Sequence, residues 1–314
     1  MRRKLNWLVF ILSAGLAGAL WYYTGQLLYP SWRAKDLSVC DARTESYWGK
    51  DCGNIRKSGQ LQFEEIKIPS TNGYDLPAWK IPSAKNGSGP ATGAVFLVHG
   101  GGSDRREESR YIQFFLSRRL DVYTFDMSCS GESPCVAAGM TFGHKESRDV
   151  QSVYAFLKPL YPRVYAMGTS VGATSILIAL PGMAELSAVI AENPMFSFQR
   201  FVDETPAAPS FLPGWFKFLV VSIAKKRALF DGLSSAQNSL RIASTVPIFF
   251  IHSKADGLIP SKHSEELHAL YNGPKKLWIT ETGEHAAVWN THKEEYERAL
   301  TDFLNQPPII APRR

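Results

Sequence analysis

The chain has 314 residues, 45% of them hydrophobic and 20% charged, with a mean hydropathy of −0.15. That balance supports a packed core and excludes a disordered chain, a collagen-like repeat and a multi-span membrane protein. The net charge of +6 is spread without a dense Lys/Arg block, which argues against nucleic acid as a partner, while 8 Trp, 12 Tyr and 18 Phe suit lipid or acyl ligands.

In chain order, residues 1–4 form a basic tip and residues 5–23 an apolar run. As a helix that run rises about 28 Å, close to the roughly 30 Å hydrocarbon core of a bilayer. Arg2, Arg3 and Lys4 place the tip in the cytoplasm and everything after Tyr23 on the far side, periplasmic, lumenal or extracellular. The expected element is a single-pass signal-anchor. A cleaved signal peptide is the alternative, with Ala17-Gly18-Ala19 as the processing site, and it would leave a secreted protein. The four cysteines agree with export. Two short-loop disulfides, Cys40–Cys52 and Cys129–Cys135, are the economical pairing in an oxidising compartment, with free buried cysteines as the alternative.

Residues 24–60 read as a polar, irregular linker or membrane-proximal segment. Residues 61–68 and 74–81 form a hairpin around Asn72-Gly73, a strong turn dipeptide. Short apolar, β-branched or aromatic strands follow at 94–98, 122–125, 164–167, 188–191, 248–251 and 276–279. Helical patterns at 111–120, 147–157, 173–180, 261–270 and 294–304 separate them. This alternation predicts an α/β fold, a mostly parallel sheet with helices on both faces. Residues 194–245 break the alternation and read as an inserted lid, and 306–314 as a tail.

Gly168-Thr169-Ser170-Val171-Gly172 sits between the strand at 164–167 and the helix at 173–180. Strand, tight turn and helix around G-x-S-x-G expose a nucleophilic Oγ, with the glycines relieving crowding on either side. A serine hydroxyl needs an oriented base, and in this arrangement the partners follow in the order Ser, acid, His, each after a later strand. Asp256 lies in the loop after strand 248–251, at the strand's carboxyl end, where open α/β sheets bind ligands. Of the seven histidines, His285 comes directly after strand 276–279. His99 and His144 precede the serine, His252, His263 and His268 precede the last strand, and His292 reads as a surface residue. Ser170, Asp256 and His285 are therefore the expected catalytic residues.

Val98-His99-Gly100-Gly101-Gly102 follows strand 94–98, and its glycines let backbone N–H groups approach a substrate. The N–H groups of Gly101 and Val171 are the expected oxyanion hole. Neither Walker A nor G-x-G-x-x-G fits this loop. His263 and His268 do not share a helix face, so no metal site and no cofactor is expected.

With these residues in place, 61–305 resembles the α/β-hydrolase family. Gly143-His144-Lys145-Glu146-Ser147-Arg148-Asp149-Val150 resembles the family's G-x-x-E-x-x-D-V helix start, and 251–285 looks most like the membrane-anchored abhydrolase-domain serine hydrolases. That branch includes lysophospholipases and acyl-protein thioesterases, so the resemblance implies an N-terminal anchor and acyl-ester substrates. Two positions depart from the pattern. Asp126-Met127-Ser128-Cys129-Ser130-Gly131 stands where D-x-R-G-x-G is usual, and Ser253 stands where the acid loop usually has Gly. In the lid, Phe216, Leu219, Val220 and Ile223 fall at helical spacing and Lys225, Lys226 and Arg227 follow. Such a helix could cover an acyl pocket, rest on an anionic membrane surface, or be a buried cap helix with cations opposing its dipole.

The expected protein is a membrane-tethered serine hydrolase cleaving carboxylic or thio esters, lipid-like ones included, through an acyl-enzyme. A peptidase or amidase using the same residues, or a lipid-binding or scaffold protein that kept the fold, are the alternatives. A histidine base near its ordinary pKa predicts activity rising with pH through about pH 6–7.

Overall fold

The structure, a computed structural model, describes residues 2–30, 37–135, 138–230, 235–242 and 245–305. The expected tail at 306–314, Met1 of the basic tip, part of the linker and short pieces of the lid lie outside these residues.

The first helix, α1 (Arg2–Leu28), is long and apolar enough to cross a membrane by length and composition. Residues 24–60, read from the sequence as irregular, instead carry the end of α1, then α2 (Ala42–Trp48) and α3 (Ile55–Ser58). Asp41 caps α2 by accepting from the Thr44 N–H at 2.8 Å, and Asn54 caps α3. These caps supply helix starts that lack an apolar period, because α2 buries none of its residues. The segment is fastened to the domain by Arg106, which donates to the Leu37 and Val39 carbonyls at 2.7 and 2.9 Å. The Cys40–Cys52 disulfide closes it into a loop, and Cys129–Cys135 closes a second one.

Strands β1 (Glu64–Pro69) and β2 (Asp75–Ile81) form the expected hairpin, with Pro69 opposite Asp75 and Gly73 at a φ of 91° in the turn. Then follow β3 (Gly93–Val98), α4 (Ser109–Ser117), β4 (Leu120–Phe125), α5 (Glu146–Leu157), β5 (Val164–Thr169), α6 (Val171–Ala179) and β6 (Ala188–Glu192). The helix predicted over 111–120 stops at Ser117. Arg119 turns the chain at a φ of 58°, and Leu120 pairs with Gly93 as the first residue of β4. Beyond β6 come α7 (Phe198–Glu204), α8 (Gly214–Arg227) and α9 (Ala236–Leu240) in the predicted lid. The chain ends with β7 (Ile248–Ser253), α10 (Lys262–Leu270), β8 (Lys275–Thr280), α11 (Val288–Thr291) and α12 (Lys293–Leu304).

The eight-stranded sheet has the order β1-β2-β4-β3-β5-β6-β7-β8, antiparallel through β1, β2 and β4 and parallel from there on. Every residue of β3, β4, β5, β6 and β7 is buried. Alternate side chains of β3 feed opposite faces: Ala94, Phe96 and Val98 join one apolar core, and Val95 and Leu97 the other. This is the expected α/β fold with both faces covered.

The Gly143–Val150 motif ties α5 to the hairpin. Glu146 accepts from the Thr141 and Gly143 N–H groups at 2.8 and 3.0 Å. The Asp149 carboxylate accepts from Ser70, Asn72, Tyr74 and the Ser128 N–H. Asp126 has its cation from Arg105, whose Nη1 lies 2.8 Å away in a fully buried pair. Ser128, at the usual Arg position, uses its N–H on Asp149 instead.

Candidate active site

All of the expected residues come from the carboxyl ends of parallel strands. Ser170 follows β5 at a φ of 54° and ψ of −114°, a conformation that costs a non-glycine residue energy and raises its side chain above the sheet. Gly172 lets α6 press against the end of β3, because a Cβ there would collide with the Val98 and His99 carbonyls. Asp256 follows β7 and His285 follows β8.

The structure brings the three together. His285 Nδ1 lies 2.7 Å from Asp256 Oδ2, and His285 Nε2 lies 3.0 Å from Ser170 Oγ. A carboxylate only accepts, so Nδ1–H donates to Asp256 and Nε2 is left to accept the Ser170 hydroxyl. Asp256 is buried and its remaining capacity is used: Oδ1 accepts from the Leu258 and Ile259 N–H groups, both at 2.8 Å. Asn193 Nδ2 donates to Oδ2 at 2.7 Å. Burial pushes the Asp256 carboxyl up, but the adjacent His285 charge and hydrogen bonds from His252 and His285 overcome this and hold it well below its ordinary range. Burial likewise pulls His285 down, and the Asp256 charge and hydrogen bond, helped by Glu107 and Glu192, raise it above 6.5. A serine, a base and an oriented, ionised acid in this chain can move a proton off Oγ as it attacks a carbonyl.

Gly101 and Val171 flank Ser170 in the same cavity. Val171 opens α6, so its N–H has no partner four residues back within the helix. A Cβ at Gly101 would lie 2.6 Å from Val171 Cγ2 and 2.6 Å from Met140 Sδ, so only glycine fits this approach. Of the other histidines, His252 reaches the site, its Nε2 3.3 Å from Asp256 Oδ2. His99 is buried with Nε2 accepting the Met127 N–H, and His252 holds Ser264 and the Ile259 carbonyl. His263 is held between the Phe196 N–H and Glu204. Among the described residues no group of three or more His, Cys, Asp or Glu side chains could hold a metal ion.

Several residues around the site went unread in the sequence. Asn193 steadies Asp256 and directly follows β6; its place at a strand's carboxyl end was the available signal. Glu107 accepts the Gly100 N–H at 2.7 Å and the Ser103 hydroxyl, which fixes the glycine loop. Below it lies a buried acidic group. Tyr111 and Tyr296 donate to Glu192 at 3.0 and 2.6 Å. Burial first, then the Glu107 charge, push the Glu108 carboxyl well above the usual carboxylate range. Arg110 donates to the Ala286 carbonyl at 2.7 Å beside His285. No local pattern marks 104–110, five of whose residues are buried polar groups.

Ser170 and His285 open into a cavity of about 630 Å³. One wall is apolar: Met140, Phe142, Met195, Phe201, Leu258 and Ile259. The opposite wall is polar and comes from α2 and its cap, through Asp41, Arg43, Thr44 and Tyr47. Tyr47 donates to Glu284 at 2.6 Å, and Asn290 donates to the Tyr47 carbonyl at 2.9 Å, so α2 is latched to the His285 loop.

Comparison with known proteins places this architecture. The chain is 25% identical to the uncharacterized protein YfhR of Escherichia coli over 246 residues, 77% of this chain and 80% of that one. The esterase PF2001 of Pyrococcus furiosus superposes with a TM-score of 0.63 at 22% identity, covering 79% of this chain and 92% of the esterase. The acylaminoacyl peptidase of Pyrococcus horikoshii superposes at 0.59 and 15% identity, covering 81% of this chain but 43% of the peptidase. Residues 143–307, from the turn before α5 past the end of α12, match the prolyl oligopeptidase family. The chain belongs to the prolyl oligopeptidase family, within the serine hydrolases of the α/β-hydrolase superfamily.

Proposed function

We propose that this protein is a membrane-tethered serine hydrolase of lipid-like acyl esters, carboxylic or thio, acting through an acyl-enzyme. Ser170 Oγ attacks the carbonyl carbon while His285 Nε2 takes its proton, and Asp256 keeps Nδ1 protonated and stabilises the imidazolium. The Gly101 and Val171 N–H groups receive the oxyanion. His285 then returns the proton to the leaving oxygen or sulfur, and a water, deprotonated by the same nitrogen, releases the acid. The single observation behind this reading is the Ser170–His285–Asp256 hydrogen-bond chain opening into a cavity with one apolar wall. An acyl chain suits that wall, and a polar leaving group suits the α2 side. Residues 5–23 serve as the anchor, with the hydrolase domain at 61–305 and the lid at about 194–245 on the non-cytoplasmic side. The two disulfides favour that side.

Fluorophosphonate labelling of detergent-solubilised protein tests the reading. Wild type is expected to label and Ser170→Ala to lose the signal. Folded wild type that stays unlabelled would favour a lipid-binding or scaffold protein instead. A second reading, peptide or amide hydrolysis, is favoured by the family match. Comparing p-nitrophenyl acyl esters with peptide p-nitroanilides separates the two, and a kcat/KM higher on the anilides would select the second.

A further inference from the structure

Helix α8 has two apolar faces. Phe216, Val220, Val221 and Ala224 are buried, Val221 and Ala224 in the domain core and Phe216 against α1. The opposite face, where a helix of a soluble domain carries charges, presents Trp215, Phe218, Leu219 and Ser222, and is cationic only in its last turn, through Lys225 and Lys226, while Arg227 turns toward α1. Trp215 and Phe218 are 56% and 59% exposed, and Phe211, just before the helix, 77%.

The packing of α8 on α1 fixes its direction. Phe216 meets Tyr23 edge to face, with ring centroids 5.6 Å apart, and the Arg227 guanidinium lies 3.9 Å from the centre of Trp21. These contacts are about 16 Å apart along α8 but only about 3 Å apart along α1. Two helices touching in that way cross steeply. Leu28, about 8 Å further along α1, is already in the domain core, so the domain lies on one side of α8 and the apolar length of α1 on the other. Exposed Trp21 and Tyr22, beside Tyr23, are the residue types that gather where a spanning helix leaves the hydrocarbon.

We propose that α8 lies flat in the headgroup layer of the membrane that α1 crosses, with Phe211, Trp215 and Phe218 dipping toward the acyl chains and its cationic turn among lipid phosphates. The occupant of this surface is the bilayer itself. The apolar wall of the cavity stands directly above: Met140 donates its N–H to the Leu28 carbonyl at 3.0 Å, and α7, which carries Phe201, packs on α8. Resting on the proposed esterase reading, the substrates are acyl esters resident in the bilayer, with the acyl chain drawn up past α8 against Met140, Phe142 and Phe201.

All four native cysteines are bonded, so an introduced one is a unique labelling site. The full chain carrying Phe218→Cys or Leu160→Cys, each labelled with an NBD fluorophore, is reconstituted into phosphatidylethanolamine/phosphatidylglycerol vesicles doped with a shallow nitroxide lipid. Leu160 is exposed in the connection from α5 to β5, at the amino ends of the parallel strands, whereas the cavity lies at their carboxyl ends. Quenching of about twofold or more at position 218 and none at 160 is expected. Equal quenching at the two positions would overturn the proposal, whatever the enzyme does. The double variant Trp215→Ser/Phe218→Ser, its fold checked by unchanged fluorophosphonate labelling, should hydrolyse soluble p-nitrophenyl acetate at the wild-type rate. Its rate on p-nitrophenyl palmitate held in the same vesicles should fall about tenfold. An equal rate on both substrates would remove the loading route. Loss of labelling in Ser170→Ala alone bears on the hydrolase reading and leaves the quenching result standing.

Discussion

The two walls of the cavity are held by different physics. On the lid side, Phe142 stacks on Phe198 with centroids 4.2 Å apart and meets Phe201 at 5.8 Å, and His144 stacks on Phe230. These rings are largely buried, so the wall is a continuation of the core. On the other side α2 buries none of its residues. It stays in place through its Asp41 cap, a disulfide, the Tyr47–Glu284 and Asn290–Tyr47 hydrogen bonds, and Arg106 over Trp48 at 5.4 Å. Apolar burial is collective, whereas exposed polar bonds are individually worth about 1 kcal/mol. In the proposed reading the apolar wall selects the acyl chain, and the α2 wall is the side that yields most readily to a leaving group or water.

The largest effect belongs to the floor that both walls share. In Asp256→Asn the His285 tautomer is no longer fixed, and kcat should fall by about four orders of magnitude with KM little changed. A wild-type rate in stopped-flow ester hydrolysis would place the acid elsewhere and leave the walls without a common centre. Next comes pH. His285 must be neutral to take the proton, and its pKa is raised above 6.5. The profile of kcat/KM should therefore rise with pH through a midpoint above 6.5, higher than the sequence alone suggested, and lose about tenfold per pH unit below it. A flat profile between pH 5 and 8 would exclude a histidine base.

The walls themselves should separate by substrate. Phe201→Ala removes an aromatic surface from the apolar side and should raise KM for a long-chain ester about tenfold, leaving acetate esters within about twofold. Steady-state kinetics on a chain-length series checks this, and a uniform change across the series would mean that the acyl chain lies elsewhere. The smallest effect is expected at the latch. Tyr47→Phe deletes one exposed hydrogen bond and should change kcat/KM by about threefold or less, with equal effect at every chain length. A selective loss for long chains would reverse the assignment of the two walls.

Much of the fold was legible because strand and turn signals are local. The buried runs of β3, β5, β6 and β7, the Asn72-Gly73 hairpin and the elbow at Ser170 each follow from a few adjacent residues, and parallel order then carries Ser170, Asp256 and His285 to one edge of the sheet. The helix ending at Ser117 was overrun because Phe114, Phe115, Leu116 and Leu120 are all apolar, and only pairing of Leu120 with Gly93 assigns the last of them to a strand.

What only the tertiary structure decided is how distant segments meet. Tyr47 reaches Glu284, Asn193 reaches Asp256, and Phe216 and Arg227 reach Tyr23 and Trp21, across separations that no periodicity encodes. The 104–110 segment is rich in charge yet largely internal, because once folded Arg105 pairs with Asp126, Arg106 with Asp104, and Glu107 accepts the Gly100 N–H. Composition and local pattern determined a parallel sheet, an apolar leading helix and three residues at strand ends. Side-chain burial against remote partners decided the cavity's polar and apolar walls and the angle at which α8 crosses α1, because those depend on packing energies between surfaces the sequence keeps far apart.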